Sequence, residues 1–173
     1  MKTFTIWMTG LSGSGKTTVA NALSKELNSY SVKHQILDGD LIRENLSKGL
    51  GFSKEDRIEN NSRIGFVCEI LNKNKVSCIV AAISPYREGR HLVRNRVENF
   101  IEVYINCPLE LCEKRDFKGL YKKARSGELK NFTGINDPYE EPVYPNIICH
   151  TERESPTECA MKIISYLVNY NIL

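Results

Sequence analysis

The sequence lacks any apolar run of the roughly 20 residues that a membrane-spanning helix requires. A short apolar run, 4–8, lies near the start, but it is shorter than the roughly 7–15 residues of a secretion-signal core. A glycine loop follows this run where a signal would have its cleavage site. We therefore expect no membrane partner and a cytoplasmic location.

The sequence also lacks a strong excess of charge of either sign. It has 24 basic and 21 acidic side chains, which give a net charge of +3. Proteins that bind nucleic acid over a wide surface usually carry a stronger basic bias. We therefore expect no nucleic-acid partner, and any functional basic cluster must be local.

A CxxC pair is absent, although the chain has six cysteines. Zinc ribbons and thioredoxin-like sites depend on such pairs. Several of the cysteines sit in apolar runs, which indicates reduced thiols packed in the core. We therefore expect neither a disulfide nor a metal role for Cys68, Cys78, Cys107, Cys112, Cys149 and Cys159.

The composition that remains is that of an ordinary globular protein. Hydrophobic residues make up 41% of the 173 residues and charged residues 26%. This length suits a single domain, and we assign the whole chain, 1–173, to one domain with a mobile lid at about 114–138.

Apolar runs alternate with helical patterns along the chain, which is typical of a parallel sheet covered on both faces. The run 76–83 is continuously apolar, as expected for a strand buried on both sides. We predict an α/β fold of the P-loop NTPase type, with a five-stranded, mainly parallel sheet flanked by helices and a basic lid. The predicted strands are 4–9, 32–37, 76–83, 100–105 and 147–149. The predicted helices are 16–27, 41–46, 53–71, a polar helix to about 97, a short helix after Pro108, and 155–168.

A phosphate-binding loop follows the first predicted strand. The segment GLSGSGKT, 10–17, matches GxxxxGK[ST] at every fixed position and lies between a strand and a helix, as this motif requires. Its amides and the helix N-terminus would surround a phosphate, Lys16 would span the β- and γ-phosphates, and Thr17 would coordinate Mg2+. The motif thus predicts MgATP binding.

The loop alone does not select one class of nucleotide enzyme. GTPases carry an NKxD motif, which is absent here, and large ATPases need a longer chain. The length favours a compact kinase of the nucleoside or shikimate kinase type.

A second polar segment, Asp38-Gly-Asp40-Leu-Ile-Arg43, follows the second predicted strand. Paired acids near a phosphate loop can hold Mg2+ or accept the proton of an attacking hydroxyl. One helical turn separates Asp40 from Arg43, so these two could pair. A helix cap with a surface ion pair is the alternative interpretation.

Several further motifs resemble the adenylylsulfate kinase family. They are GLSGSGKTT at 10–18, LDGD at 37–40, GFSKEDRIEN at 51–60, ISPYR at 83–87, KGLYKKAR at 118–125, FTGI at 132–135 and PYEEP at 138–142. They occur in order over nearly the whole chain, from residue 4 to about 145. The resemblance implies transfer of the γ-phosphoryl group of ATP to the ribose 3′-hydroxyl of adenylylsulfate, the step that completes sulfate activation.

The resemblance also implies the roles of individual residues. Lys16, Asp38 and Ser84 would be catalytic, with Asp38 as candidate base and Thr17 and Asp38 near Mg2+. ATP would be held by Gly10, Ser12, Gly13, Ser14, Gly15, Lys16, Thr17 and Thr18, joined by Arg115 and Arg125 in the closed state. The nucleotide acceptor would be held by Asp38, Asp40, Arg43, Phe52, Arg57, Asn60, Ile83, Ser84, Lys118, Leu120 and Phe132. Phe52 and Phe132 would sandwich its base. The resemblance also favours a homodimer.

Physical chemistry agrees with several of these assignments. Arginine forks recognise anions with several oxygens, and aromatic faces stack on a base without reading its edges strongly. The segment 114–130 has seven basic and two acidic residues, which suits a surface that faces an anion. Family members are often assigned a phosphoserine intermediate at the position of Ser84, but direct in-line transfer is usual for P-loop kinases. We expect Ser84 to bind the acceptor.

The chain departs from the family pattern mainly on the acceptor side. Where the family usually has Asn, Arg, Phe, Pro and Gly, this sequence has Leu41, Ser62, Ala82, Phe117 and Asn131. The alternative acceptor is cytidine diphosphoramidate, used in surface-polysaccharide (capsule) pathways, because its ribose also offers a 3′-hydroxyl. A different class of function is a nucleotide-binding regulatory module without catalysis, which the intact catalytic positions disfavour.

Overall fold

The computed structural model describes residues 2–173 and consists of five strands and seven helices within that range. The strands are β1 (Thr5–Thr9), β2 (His34–Asp38), β3 (Ser77–Ala81), β4 (Phe100–Asn106) and β5 (Ile147–His150). The helices are α1 (Lys16–Ser29), α2 (Gly39–Asn45), α3 (Lys54–Lys73), α4 (Arg87–Arg94), α5 (Leu109–Arg115), α6 (Leu120–Arg125) and α7 (Pro156–Asn169).

The strands form one sheet in the order β2-β3-β1-β4-β5, and its four pairings are all parallel. β1 lies at the centre and is buried along its whole length. The predicted five-stranded sheet is confirmed. Because the strands are parallel, their carboxyl ends meet at one edge, where ligands bind in sheets of this kind.

Helices cover both faces of this sheet. Alternate residues of β1 serve the two sides: Ile6 and Met8 pack with α1 and α7, and Trp7 packs with α3 and α4. This alternation follows from the two-residue repeat of a strand. A third, smaller cluster packs the segment predicted as a lid against α5 and includes Cys112, Tyr121 and Phe132.

Two predicted helix starts are confirmed by their caps. The Ser53 hydroxyl accepts a hydrogen bond from the amide of Asp56 at the start of α3. Ser155 and Glu158 form a reciprocal capping box at α7, with Pro156 at its first position. Such caps satisfy amides that have no partner within the helix.

Two differences from the sequence prediction affect the segments around the site. β3 ends at Ala81 because the chain turns at Ser84, which has a φ of 46°. The weakly patterned stretch 115–145 contains α6, which starts after Gly119 with its left-handed φ of 67°. This helix has only six residues and buries only Tyr121 and Ala124, so its apolar pattern is too short to be recognised.

The six cysteines are all buried, free thiols, as their apolar context predicts. Cys149, Cys159 and Glu154 bring their potential ligand atoms within 4.8 Å of one another. The Lys162 ammonium already pairs with this carboxylate, so its charge is met by a side chain. Within 2–173, no helix combines the length and the apolar character needed to cross a membrane.

Candidate active site

The phosphate loop connects β1 to α1 and is held close to its neighbours. Gly15 caps α1 with a left-handed φ of 101°, a conformation that glycine adopts at little cost. A Cβ atom at Gly10 would lie 2.5 Å from the Ile105 carbonyl oxygen. The loop therefore needs glycine at position 15 for its backbone conformation and at position 10 for its close packing against Ile105.

Lys16 folds back over this loop. Its ammonium donates to the carbonyl oxygens of Gly10, at 2.9 Å, and Leu11, at 2.7 Å. Burial lowers the pKa of Lys16 to about 8, an effect that the nearby Cys112, Asp40 and Asp38 partly oppose. Carbonyl oxygens carry only partial charge, so phosphate oxygens would satisfy the Lys16 ammonium more fully.

Asp38 joins the phosphate loop to the acceptor side through its two oxygens. Its Oδ1 accepts from the amides of Asp40 and Leu41 and so caps α2. Its Oδ2 accepts from the Thr17 hydroxyl at 3.0 Å. A hydroxyl and a carboxylate oxygen are the hard donors that Mg2+ prefers, so this pair fits the ion that the sequence motif implies.

One cavity of about 570 Å3 connects the phosphate loop with the residues predicted to hold the acceptor. Seventeen predicted site residues line it: Ser12, Gly13, Gly15, Lys16, Thr17, Thr18, Asp38, Asp40, Arg43, Phe52, Arg57, Asn60, Ile83, Ser84, Lys118, Leu120 and Phe132. Gly10 and Ser14 belong to the loop without lining the cavity. The cavity brings both halves of the predicted site into one space.

Two arginines approach the ring of Phe52 on the acceptor side. The guanidinium carbons of Arg43 and Arg57 lie 4.6 and 5.4 Å from the ring centre. Burial lowers the pKa of Arg57, while Asp137 opposes this shift. The expected pair between Arg43 and Asp40 is wrong, because Arg43 instead donates to the Gly51 carbonyl oxygen at 2.7 Å.

Ser84 occupies a buried turn at the end of the acceptor wall. Its hydroxyl accepts from the Trp7 indole at 3.0 Å and donates to the Asn61 amide oxygen at 3.1 Å. Neither partner is among the predicted site residues, although Asn61 directly follows Asn60, the last residue of the motif at 51–60. Asn60 itself has a buried side-chain oxygen without a hydrogen-bond partner.

Lys118 and Asp40 both line the cavity, and their side chains form an ion pair. The two arginines predicted to contact ATP, Arg115 and Arg125, lie elsewhere. Arg115 donates to the Thr151 carbonyl oxygen at 2.9 Å and contacts the carbonyl of Gly13. Arg125 pairs with Glu113. Neither arginine lines the cavity, so their contact with ATP in a closed state stays a prediction.

A family model described as adenylylsulphate kinase matches residues 2–150. The chain belongs to the adenylylsulphate kinase family. It is 55% identical to the adenylyl-sulfate kinase of Gloeothece citriformis over 94% of this chain and 93% of that protein. It is 57% identical to that of Rippkaea orientalis, over 92% and 88%. The solved structure of the Mycobacterium tuberculosis APS kinase CysC in complex with AMPPNP and APS matches with a TM-score of 0.91 and 41% identity, covering 96% of this chain and 98% of that one.

The departures from the family pattern fall unevenly around the adenylylsulphate kinase cavity. Ala82, Phe117 and Asn131 line it. Leu41 and Ser62 do not. Three of the five departures are therefore placed to shape the space that an acceptor would fill.

Proposed function

We propose that this chain transfers the γ-phosphoryl group of MgATP to the ribose 3′-hydroxyl of adenylylsulfate, giving 3′-phosphoadenylylsulfate. The observation that carries the proposal is the single cavity with the phosphate loop on one wall and an aromatic, arginine-rich surface on the other. A phosphoryl transfer needs both substrates in one closed space with the reacting atoms in line.

On the donor side, the loop amides and Lys16 would bind the ATP phosphates. Charge develops on these oxygens during transfer, and fixed donors stabilise it without reorganising. Thr17 and Asp38 would hold Mg2+, which neutralises phosphate charge when bound. Lys16 must exchange its two carbonyl partners for phosphate oxygens, and an anion beside it would restore its ordinary affinity for a proton.

Asp38 is the candidate base for the 3′-hydroxyl. Its Oδ2 faces Thr17 in the cavity, while Oδ1 holds α2 in place, so capping fixes the orientation of the carboxylate. We assign Ser84 to the shape of the acceptor wall and not to covalent catalysis, because its hydroxyl already donates to Asn61 and accepts from Trp7. A nucleophile would need a nearby base that removes its proton.

On the acceptor side, Phe52 and Phe132 would stack on the base, with Ile83 and Leu120 lining the pocket. Arg43, Arg57 and Lys118 would meet the phosphate and sulfate oxygens. Asp40 and the unpartnered oxygen of Asn60 would accept hydrogen bonds from the ribose hydroxyls or the base. The lid, at about 114–138 within a single domain, would exclude water that competes for the phosphoryl group.

The test is ATP turnover with adenylylsulfate and cytidine diphosphoramidate side by side, with each product analysed for a new 3′-phosphate. We expect use of adenylylsulfate, which the relatives named above favour, and little use of the cytidine compound. Preference for the cytidine compound would overturn the proposed acceptor. ATP binding without turnover of either acceptor would favour a regulatory nucleotide-binding module instead.

We further propose a cytoplasmic homodimer. Six free thiols suit a reducing compartment. Phe66 and Ile70 on α3 and Leu92 on α4 are about half exposed and offer apolar surface that a second copy would bury. Light scattering of the purified protein at several concentrations tests the dimer, and a monomer throughout would contradict it.

A further inference from the structure

Arg90 of α4 is 3% exposed and lies directly behind the Ser84 turn. Its guanidinium donates to three acceptors at once. They are the Glu102 carboxylate at 2.7 Å, the Ser84 carbonyl oxygen at 2.5 Å and the Glu140 carbonyl oxygen at 2.7 Å. These acceptors belong to three separate segments: β4, the turn after β3, and the stretch that follows the lid.

We propose that Arg90 is a positioning residue for phosphoryl transfer, which acts by holding the main chain of Ser84 so that the acceptor wall keeps its shape. Arg90 does not line the cavity and reaches the acceptor only through Ser84. The expected effect on kinetics rests on the proposed function. The expected effect on the Ser84 turn rests on the hydrogen bonds alone.

The Ser84 turn needs such support because of its backbone conformation. Its φ of 46° lies in the left-handed region, which residues other than glycine rarely adopt and which persists only where the surroundings hold it. The Ser84 carbonyl accepts from Arg90 and, at 3.3 Å, from the Thr9 hydroxyl. Arg90 supplies the shorter and charged of these two contacts.

The same turn touches the start of the phosphate loop. The Thr9 hydroxyl donates to the Ile83 carbonyl oxygen at 2.7 Å, and the Gly10 amide approaches it at 3.4 Å. A shift of the turn would therefore change how the acceptor stands relative to the donor phosphates. Small displacements of reacting groups lower the rate strongly, by up to about a hundredfold for 1 Å.

A comparison of Arg90 with Arg94 distinguishes the positioning role from an ion pair with Glu102 alone. Glu102 is a buried carboxylate that accepts from Arg90 on one oxygen and from Arg94, at 2.9 Å, on the other. Arg94 is more exposed, and its guanidinium donates to Glu102 without a hydrogen bond to Ser84. Both arginines thus serve the same carboxylate, and only Arg90 also holds the turn.

The test compares R90K with the matched control R94Q in the full-length protein. A lysine keeps the charge beside Glu102 but cannot serve three acceptors in the fixed geometry of a guanidinium fork. For R90K we expect kcat/KM for adenylylsulfate to fall about ten- to hundredfold, with the KM for ATP nearly unchanged. For R94Q we expect both constants to stay close to those of the unmodified protein.

Trp7 gives a second readout that does not depend on activity. It is the single tryptophan of the chain, and its indole donates to the Ser84 hydroxyl. We expect R90K to shift the fluorescence emission of Trp7 and R94Q to leave it unchanged. If the unmodified protein turned over no acceptor, the proposed function would fail, while these spectra would still decide whether Arg90 holds the turn.

If R90K does not fold, the double variant R90Q/E102Q replaces the buried ion pair with neutral amides. The cation that then loses its partner, Arg94, has a side chain that is 37% exposed, so solvent can meet its charge. We expect the double variant to show the same selective loss toward the acceptor. Two results would overturn the proposal: an unchanged acceptor kcat/KM and Trp7 spectrum in the folded Arg90 variant, or an equal loss in R94Q.

Discussion

The donor and acceptor sides of the cavity differ in whether main-chain or side-chain groups line them. On the donor side the groups are mainly loop amides and Lys16, which is only 9% exposed. On the acceptor side they are side chains, and several are open to solvent: Phe52 is 47% exposed, and the Asp40 and Lys118 side chains are 71% and 59% exposed. A main-chain site is fixed by the fold, whereas a side-chain site changes with each substitution. This difference explains why the departures from the family pattern that reach the cavity lie on the acceptor wall and the lid.

The largest effect is expected from the one charged side chain of the donor loop. Lys16→Met should lower turnover about a thousandfold, because charge on the transferred phosphoryl group loses a preorganised partner. Steady-state kinetics with both substrates checks this, and circular dichroism confirms the fold. Near-normal turnover would mean that the loop amides stabilise the transferred phosphoryl group without Lys16. The donor side would then depend on the main chain alone.

Asp38 links the two sides, so its substitution should slow the reaction without loosening ATP. Asp38→Asn keeps an oxygen that can cap α2 but removes the base. We expect kcat to fall about a hundredfold or more, with the KM for ATP little changed. A loss confined to the affinity for ATP would remove Asp38 from the chemistry.

On the acceptor side, Lys118→Ala should raise the KM for adenylylsulfate about tenfold, the usual size of one charge-assisted contact. Lys122→Ala is the matched control, because Lys122 lies on the exposed surface of the same lid and does not line the cavity. Equal effects of the two changes would mean that the lid acts through its overall charge and not through one contact.

The pKa of Lys16 makes the donor side sensitive to pH. Its pKa of about 8 lies below the ordinary 10.5. Burial of the charged lysine therefore lowers the free energy of unfolding below pH 8. This cost decreases as the pH rises from 8 to 10.5, because the folded protein then holds Lys16 uncharged. ATP prefers the charged lysine, so its affinity should fall by up to about tenfold per pH unit above this pKa. Titration calorimetry across this range checks the slope, which should be absent in the Lys16→Met variant.

The smallest effect is expected at Ser84. Ser84→Ala removes the hydroxyl but leaves the main chain that Arg90 holds, so turnover should fall only a few-fold, about the effect of one neutral hydrogen bond. The rate with adenylylsulfate measures this. Complete loss of turnover with intact acceptor binding would instead support a phosphoserine intermediate.

Much of the donor side was predictable because its motif is local. Eight consecutive positions, 10–17, with fixed glycines specify the loop, and flanking apolar patterns place it between β1 and α1. The contacts of charged side chains were less predictable. The sequence spacing predicts a pair between Arg43 and Asp40, but Arg43 instead contacts the Phe52 ring and the Gly51 carbonyl oxygen. Asp40 pairs with Lys118, which is 78 positions away. Such partners depend on tertiary proximity, which sequence spacing does not record.

One half of the Arg90–Glu102 pair is indicated by the sequence. Glu102 is the single charged residue in the apolar run FIEVYI, and a carboxylate inside a buried strand requires a cationic partner. The sequence gives no direct sign of which arginine supplies it. The choice follows from α4 packing beside β4, which only the folded chain establishes.

Because Lys118 pairs with Asp40, turnover at low acceptor concentration should depend on ionic strength. At low salt this exposed pair would hold the lid lysine away from an arriving anion. Moderate salt screens the pair and frees the lysine. At high salt, the attraction between the basic lid and the acceptor is screened as well, which slows their encounter. Turnover at low acceptor concentration should therefore pass through a maximum at intermediate salt, and Asp40→Asn should move that maximum to lower salt.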